Sequence, residues 1–596
     1  MKSFKKLRQK ITNITAIEIV AVFFAVLILC IQTFFIFSLW KTDANLILPN
    51  CFMFIPIYMT AFLLIRKHTV SYCIISFIEL FLYYLNLYVY SSRGTPVQFS
   101  DIYCISDALS VAGNYPLVFN GKVLLTFLAV LVLNALIWFI FAPTEYKRFS
   151  AYKKSGIKFS LLFIAASVPI LAAAVLYTKT PQFNLNEFTS ETGLPLAILS
   201  EYFNSKVRPP KGYTKEQAEN VLSRYTETSG GISEPINIIV IMNEALADYS
   251  MFGETGFSED PMPYYHSLEE NCVKGGLLVS VYGGNTCNTE FEFLTGASLA
   301  FLPPSSLPYN QYMNSGIYSI CKDEALSGYT KTAIHPYFAG EWRRDSNYPL
   351  LGFDDFISGE DFSENYVKGD VEDIAHMELE FADFGSDLEY VRKFISDKEC
   401  YRKILEIQDQ SNANGKPSFT FAVTIQNHGG YQEENFEAVR YTDNDMLNQY
   451  LTLTSISDSA LEYLLTELSE RNEKTIVIMF GDHQPGGSYM DSSATGVRGI
   501  NMYITPYLMW ANYDVQWNVP KLTSSNYLSL YLKENAGLSL TSWDQIRLKA
   551  AESYSAVSCE YAVSAYDGGV TGISSAIGTD ALTEYQHVQY RMMFDN

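Results

Sequence analysis

The chain has 596 residues and a formal net charge of −22, and this length is enough for more than one domain. The acidic excess argues against a nucleic-acid partner, because phosphate backbones are bound by basic faces. Hydrophobic residues make up 48% of the chain and charged residues only 18%. This is apolar for a soluble protein of this length and indicates membrane-embedded segments.

Five apolar stretches lie within the first 178 residues. Each is roughly 20 residues long, which is enough to cross a bilayer as a helix. Five in succession cannot be a cleaved signal peptide. We therefore predict a membrane domain of five transmembrane helices over residues 1–178. The predicted spans are Ile19–Leu39, Leu46–Ile65, Ser71–Tyr90, Val123–Phe141 and Phe159–Tyr177.

Basic residues cluster on one side of these spans. One cluster precedes the first span, Arg66 and Lys67 separate the second from the third, and residues 147–154 carry four more between the fourth and fifth. The positive-inside rule makes all three clusters cytoplasmic. Five crossings then place everything after Tyr177 outside the cell membrane.

The remainder of the chain changes character at about residue 235. Residues 179–234 are polar and proline-containing, which predicts a linker with short helices, one of them at Lys215–Tyr225. Residues 235–596 alternate apolar strands with helices, which predicts an extracellular α/β domain with a mostly parallel central sheet. The predicted strands are Asn237–Met242, Gly276–Val281, Tyr329–Ile334, Phe419–Ile425, Thr475–Phe480 and Ile504–Trp510, and the predicted helices are Glu290–Ala300, Asp387–Ser396 and Asn444–Arg471.

Chemically competent side chains follow several of these strands directly. Because ligands bind at the carboxyl ends of parallel strands, we expect them to converge on one edge of the sheet. Glu244, His335, His428, Asp482 and His483 occupy such positions.

Two carboxylates and an imidazole at one sheet edge form a ligand set for a divalent metal. Glu244 ends the first strand, and Asp482 and His483 follow a later one. The alternatives are a helix-capping Asp482 beside a surface His483, and a Glu244 buried against a cation. Metal binding is favoured because the three residues should be neighbours across the sheet.

A glycine-rich turn presents a hydroxyl before a predicted helix. Thr286 follows Gly283, Gly284 and Asn285. Coordination to a metal lowers the pKa of such a hydroxyl, and helix N–H groups favour an anionic substrate. Plain helix capping is the alternative role for the turn, and Cys287 and Thr289 are rival nucleophiles.

Four further residues fit a phosphorylated substrate. Arg344 offers a fork for phosphate oxygens, Trp342 a face for a glycerol or glycan, and His335 a ring beside them. His428 would bind a phosphoryl oxygen or protonate a leaving alkoxide. A surface tryptophan with solvated arginines is the alternative.

The whole chain resembles the lipoteichoic acid synthase and phosphoglycerol transferase family, sulfatase-like members of the alkaline phosphatase superfamily. Glu244 matches the family glutamate, Gly284–Phe291 matches a Gly-x-Thr-x-x-x-Glu-Phe motif, and Asp482-His483 matches a metal pair. The chain departs from the family pattern on both sides of the threonine, with Asn285 in place of Lys and Cys287 in place of Ser. No Cys/Ser-x-Pro-x-Arg motif surrounds the threonine, which argues against sulfate ester hydrolysis.

This resemblance implies a reaction and a site. Thr286 would be the nucleophile and would share one divalent ion, Mn²⁺ in preference to Mg²⁺, with the three metal ligands. His335, Trp342, Arg344 and His428 would bind substrate. Glycerophosphate would pass from phosphatidylglycerol to a polyglycerolphosphate, glycolipid or other glycan acceptor through phospho-threonine. The alternatives are a phosphoethanolamine transferase or membrane phosphodiesterase with the same site, and a non-catalytic membrane-anchored binding protein.

Overall fold

The computed structural model describes residues 22–93, 95–105, 121–145, 155–178, 185–228, 230, 235–362, 388–487 and 495–595. The chain divides into two compact units. The first runs to Lys206, and the second begins at Val207 and includes short pieces of the segment 92–116.

The N-terminal unit is helical. Four of its helical segments are long and apolar enough to cross a membrane: Ala44–Ile65, His68–Ser91, Gly121–Phe139 and Ser160–Tyr177. The first predicted span begins outside the described residues, and its described part is a shorter apolar helix. The predicted helical membrane domain is thus confirmed. The helices of this unit are α1 (Val22–Ile36), α2 (Ala44–Phe52), α3 (Ile55–Ile65), α4 (His68–Arg93), α5 (Gly121–Glu145), α6 (Ser155–Tyr177), α7 (Leu185–Thr192) and α8 (Leu194–Asn204).

The second unit is organised around an eight-stranded sheet with the order β10-β2-β9-β8-β1-β7-β3-β4. All neighbouring strands run parallel except that β9 is antiparallel to both β2 and β8. The predicted mostly parallel sheet is therefore confirmed. Its strands are β1 (Asn237–Asn243), β2 (Cys272–Leu278), β3 (Thr330–His335), β4 (Asp355–Ser358), β7 (Ser418–Val423), β8 (Thr475–Gly481), β9 (Ile504–Ala511) and β10 (Leu522–Ser524).

Helices and two small sheets surround this central sheet. The hairpin β5 (Tyr390–Val391) and β6 (Phe394–Ile395) forms one small sheet, and β11 (Tyr554–Val557), β12 (Tyr561–Ser564) and β13 (Val570–Gly572) form the other. The helices are α9 (Lys215–Ser223), α10 (Pro263–Ser267), α11 (Thr286–Thr295), α12 (Pro308–Gln311), α13 (Arg344–Leu351), α14 (Gly359–Phe362), α15 (Asp397–Ala413), α16 (Asp445–Ser469), α17 (Ser525–Asn535), α18 (Ser542–Ala551), α19 (Ile573–Ala576) and α20 (Asp580–Phe594).

Two predicted helices need correction. The described part of the segment Asp387–Ser396 is the β5–β6 hairpin, because Arg392 adopts a left-handed φ of 58° that turns the chain back. The helix begins only after Ser396, whose side chain caps the Glu399 N–H. The helix predicted at Glu290–Ala300 begins earlier, at Thr286, and ends before Gly296.

The central strands fix the position of the site. Every residue of β1 is buried, and its parallel neighbours β8 and β7 are buried too. The register places Asn243 opposite Gly481. The residues that follow these two strands, Glu244 and Asp482, therefore leave the same edge of the sheet side by side.

Candidate active site

Glu244, Asp482 and His483 lie together at the carboxyl edge of β1 and β8. One ligand atom from each residue lies within 4.8 Å of the other two. His483 Nε2 is 3.2 Å from Asp482 Oδ2 and 3.9 Å from Glu244 Oε1. All three side chains are buried, so the cluster is held rigidly and largely away from water.

Hydrogen bonds at the rear of the cluster direct its free atoms inward. Asp482 Oδ1 accepts the backbone N–H groups of Ala245 at 2.7 Å and His483 at 2.8 Å. Its other oxygen, Oδ2, is buried and has no hydrogen-bond partner among the described residues. His483 Nδ1 lies 3.0 Å from the Gln484 carbonyl, to which it donates, so Nε2 presents a lone pair to the cluster.

These residues fit a divalent cation. Burial, reinforced by Asp482, raises the pKa of Glu244 well above its usual value, because two carboxylates share the site without a neutralising charge. The buried Oδ2 of Asp482, which has no hydrogen-bond partner among the described residues, also favours a bound cation. Two carboxylates and one imidazole suit Mn²⁺ or Mg²⁺ as ligands.

Thr286 is the hydroxyl that faces this cluster. Its Oγ1 lies 3.4 Å from His483 Nε2, at the first residue of α11 and directly after Asn285 in the left-handed conformation. The rival hydroxyl of Thr289 instead donates to the Asp482 carbonyl at 2.7 Å. The Cys287 side chain is fully buried. Thr286 therefore combines the helix N-terminus with contact to a metal-ligand residue.

A buried ion-pair chain lies beside the cluster. His335 Nδ1 contacts the Val423 carbonyl and its Nε2 contacts Glu341 Oε2, each at 2.9 Å. Arg344 Nη1 donates to the same Glu341 oxygen at 3.0 Å. Burial alone would raise the pKa of Glu341, but the hydrogen bond from His335 and the charge of Arg344 outweigh it and hold the pKa at about 2.

Arg344 is bound by carboxylates on both sides. Its Nε and Nη2 donate to Glu290 Oε1 at 3.0 and 2.5 Å, and Tyr348 donates to the other oxygen of Glu290 at 2.8 Å. The Arg344 side chain is 1% exposed, so the alternative of solvated arginines is wrong at this position. In this arrangement it joins α11 to the loop after β3, while half-buried Trp342 and exposed Arg343 lie in that loop.

His428 lies near the same chain on the loop after β7. Burial lowers its pKa to about 4, and the Glu341 carboxylate only partly opposes this effect. Its ring meets Phe394 edge-on, with centroids 5.7 Å apart. Its Nδ1 is buried without a hydrogen-bond partner among the described residues, so the hydrogen-bonding capacity of this atom is not used by them.

The sequence did not indicate the roles of several supporting residues. Glu290, which lies in the Thr286 motif, and Glu341 form the carboxylate pairs of Arg344, and Thr424 accepts the Glu244 N–H at 3.1 Å. Buried Asp397 binds the Asn243 amide at 2.8 Å and braces the end of β1. A charged residue between two apolar strands or inside the Thr286 motif was the available signal.

Comparison with known proteins shows a likeness to one family. Residues 236–529, just under half of the chain, match the family model described as Sulfatase. This part of the chain is therefore sulfatase-like. That result fits the resemblance to lipoteichoic acid synthases and phosphoglycerol transferases of the alkaline phosphatase superfamily.

Two curated relatives come from Rhizobium meliloti. A putative cyclic beta-1,2-glucan modification protein is 27% identical over 383 residues, which cover 61% of this chain and 54% of the relative. A capsular polysaccharide biosynthesis protein is 23% identical and covers 43% of this chain and 42% of the relative. The chain thus spans about half the length of the curated relatives it matches.

Among solved structures, a Streptococcus pyogenes phosphoglycerol transferase in complex with sn-glycerol-1-phosphate has the same fold. The TM-score is 0.52 at 20% sequence identity, and the match covers 65% of this chain and 96% of that chain. At this identity the likeness shows a shared fold.

Proposed function

We propose that the chain is a membrane-anchored phosphotransferase that moves glycerophosphate from phosphatidylglycerol to a glycan acceptor through a phospho-threonine on Thr286. The observation that carries the proposal is the position of Thr286 Oγ1, 3.4 Å from His483 Nε2 at the start of a buried helix. A hydroxyl held there meets both a metal-ligand set and the positive end of a helix dipole.

Glu244, Asp482 and His483, with Thr286 itself, would hold one divalent ion, Mn²⁺ in preference to Mg²⁺. When bound, the ion would favour the ionised form of the Thr286 hydroxyl and offset charge on a phosphoryl oxygen. The Ala245 and His483 N–H groups fix Asp482, and the Gln484 carbonyl fixes the tautomer of His483. These contacts hold the ligand atoms in fixed positions, so the atoms stay in place during the reaction.

In the first step the Thr286 oxygen attacks phosphorus, the bond to the diacylglycerol oxygen breaks, and that oxygen takes up the proton that Thr286 gives up. In the second step an acceptor hydroxyl attacks the same phosphorus, the bond to Thr286 breaks, and the proton lost by the acceptor returns to Thr286. Burial lowers the pKa of His428 to about 4, so its imidazole is neutral at neutral pH and is suited to accept a hydrogen bond from the acceptor hydroxyl.

Trp342 would bind the glycerol portion. The two ring nitrogens of His335 contact the Val423 carbonyl and Glu341. His335 would therefore act with Arg344 to hold the loop that carries Trp342.

Three observations support the choice of donor and acceptor. Helices long and apolar enough to cross a membrane favour a lipid donor, because they would hold the enzyme in the bilayer. Both Rhizobium relatives are named for glycans, which favours a glycan over a polyglycerolphosphate chain as acceptor. The shared fold with a phosphoglycerol transferase is consistent with a glycerophosphate donor group.

The proposal is tested with the full-length protein in detergent micelles, using phosphatidylglycerol labelled in its head group and Mn²⁺. Thr286→Ala is expected to lower diacylglycerol release on the order of a thousandfold or more, because the nucleophile is lost. It should also abolish acid-stable label on the protein. Thr286→Ser keeps a hydroxyl and is the matched control, and it should retain part of both signals.

Undiminished diacylglycerol release by Thr286→Ala would sink the nucleophile assignment. Two further assays distinguish the alternative functions. Faster turnover of phosphatidylethanolamine would make the enzyme a phosphoethanolamine transferase. Transfer of the labelled group only to water would make it a phosphodiesterase.

A further inference from the structure

An open groove of about 630 Å³ lies between the loop that follows His428 and the first turns of α16. No step of the proposed reaction uses it. Its lining combines two aromatic rings, three amide side chains and several charged groups. These residues are Tyr431, Phe436, Gln432, Asn448, Gln449, Glu433, Glu434, Asp445 and Arg440, with Ala438 and Met446 completing the wall.

The groove is built by specific hydrogen bonds. Gln449 of α16 accepts the Glu433 N–H at 3.1 Å and donates to the Glu433 carbonyl at 3.0 Å. Tyr431 is buried, and its hydroxyl donates to the Asn427 carbonyl at 2.8 Å. The loop is therefore fixed to the helix at one end and to the β7 strand end at the other, which keeps the groove open.

This wall is continuous with the catalytic edge of the sheet. The Tyr431 ring packs against Tyr450, with centroids 5.3 Å apart. The Tyr450 hydroxyl donates at 2.7 Å to the carbonyl of Ala245, the residue after metal ligand Glu244. Two side chains, Tyr431 and Tyr450, would thus separate a ligand in the groove from the backbone beside Glu244.

Arg392 makes a second connection. Its Nη2 donates to the His428 carbonyl at 2.7 Å, and its Nη1 lies 3.7 Å from Glu433 Oε1 in the groove. The groove therefore begins beside the histidine that is proposed to bind the acceptor hydroxyl.

The charge of the lining selects its ligand. Glu433, Glu434 and Asp445 are acidic. The one guanidinium of the lining, Arg440, is paired with Asp443 at 2.6 Å. The groove therefore stays negative even with Arg392 near Glu433. A polyanion such as polyglycerolphosphate would be repelled. Carboxylates accept hydrogen bonds from sugar hydroxyls, amides both accept and donate them, and the half-buried Phe436 ring can pack on a sugar face.

We propose that this groove binds the acceptor as a neutral glycan and excludes polyglycerolphosphate. This inference rests on the proposed phosphotransferase function, of which it specifies the acceptor. A bound oligosaccharide would extend from the groove toward His428 and present one hydroxyl to phosphorylated Thr286.

The test uses Ala438→Trp, which fills the groove from an exposed position. Ala413→Trp is the matched control, because Ala413 is exposed at the end of α15, before β7 begins, on the opposite edge of the sheet. Full-length Thr286→Ala protein with and without each change is titrated with neutral cyclic β-1,2-glucan and with a glycerol phosphate oligomer. The same tryptophan changes are made in the wild type and assayed for lipid cleavage and for transfer.

We expect Ala438→Trp to weaken glucan binding at least about tenfold, as for the loss of one or two hydrogen bonds. Glucan transfer should fall in parallel while lipid cleavage persists, and Ala413→Trp should change neither. Unaltered glucan binding by Ala438→Trp would overturn the groove assignment. Tighter binding of the glycerol phosphate oligomer than of glucan would overturn the neutral-acceptor assignment.

These assays distinguish a wrong phosphotransferase assignment from a wrong groove assignment. If the wild type cleaves no lipid with either acceptor, the phosphotransferase function is wrong. The glucan titration with Thr286→Ala protein then still decides whether the groove binds a neutral glycan.

Discussion

At the scale of single residues, Glu341 controls the charge balance beside the metal ligands. Its carboxylate accepts from both His335 and Arg344, and all three side chains are at least nine-tenths buried. A buried guanidinium tolerates loss of water only when carboxylates surround it. Glu341 therefore keeps the loop after β3 in place and is a positioning residue.

We predict that Glu341→Gln destabilises the soluble unit by about 2 kcal/mol, less than a fully broken buried pair because Glu290 still binds Arg344. The folded pKa of Glu341, about 2, lies below its usual 4.5. The ionised carboxylate therefore stabilises fully above pH 4.5, and this contribution is lost as the pH falls toward 2. Melting curves of the two proteins should differ by a constant amount from pH 6 to 8 and converge below 4.5.

Glu552→Gln is the matched control, since it removes a carboxylate from an exposed pair with Lys549. It should leave the melting temperature unchanged. A Glu341→Gln protein that melts with the wild type at pH 7 would mean that the charge of Glu341 contributes nothing to the fold.

The residues themselves could be predicted from the sequence to different degrees. Glu244, Asp482 and His483 were identifiable because each follows an apolar strand, and strand order alone brings them together. The environment of Arg344 could not be predicted from the sequence, because its partner Glu290 is 54 positions away. An arginine in the sequence gives no sign of whether its guanidinium binds a phosphate or a carboxylate.

At the scale of elements, the junction of β8 with its loop sets the position of Asp482 and His483, two of the proposed metal ligands. Gly481 ends the strand directly before Asp482. A Cβ at Gly481 would meet the Leu246 carbonyl oxygen and would lie 2.9 Å from Thr505 Cβ. Neither neighbour can move freely, because Leu246 follows Glu244 and Thr505 lies within β9.

We predict that Gly481→Ala lowers Mn²⁺ affinity by about 10- to 100-fold, the range seen when the supports of metal ligands are disturbed. Gly256→Ala is the control, because a Cβ there meets no atom within 4 Å. Calorimetric titration of both full-length variants with Mn²⁺ measures the difference. Wild-type affinity in Gly481→Ala would show that the strand end does not position Asp482.

The elements followed from the sequence where periodicity was strong. The buried strands β1, β7 and β8 are nearly continuous apolar runs, and their predicted bounds lie within two residues of those observed. The segment 388–396 was misassigned because its turn depends on a left-handed Arg392, which no turn-forming residue type signals. The short strands β4 and β10 pair only at the sheet margins and have too few residues for a pattern.

At the scale of the whole molecule, the proposed chemistry depends on which side of the membrane holds the catalytic unit. The basic residues before and between the apolar segments favour a cytoplasmic N-terminus, and an odd number of spans then puts the second unit outside. Extracellular glycans and lipid head groups of the outer leaflet would both be accessible to a site so placed. An even number of spans would separate the enzyme from these substrates.

We predict that Tyr566→Cys is labelled by a membrane-impermeant maleimide in intact cells, because Tyr566 is 83% exposed on the second unit. Lys67→Cys, in the exposed turn between α3 and α4, should be labelled only after the membrane is permeabilised. The unsubstituted protein measures the background from its own thiols, since the chain contains nine cysteines. Because five spans require opposite sides for the two positions, labelling of both in intact cells, or of neither, would contradict the topology. Labelling of Lys67→Cys alone would place the catalytic unit in the cytoplasm, where an extracellular glycan acceptor is out of reach.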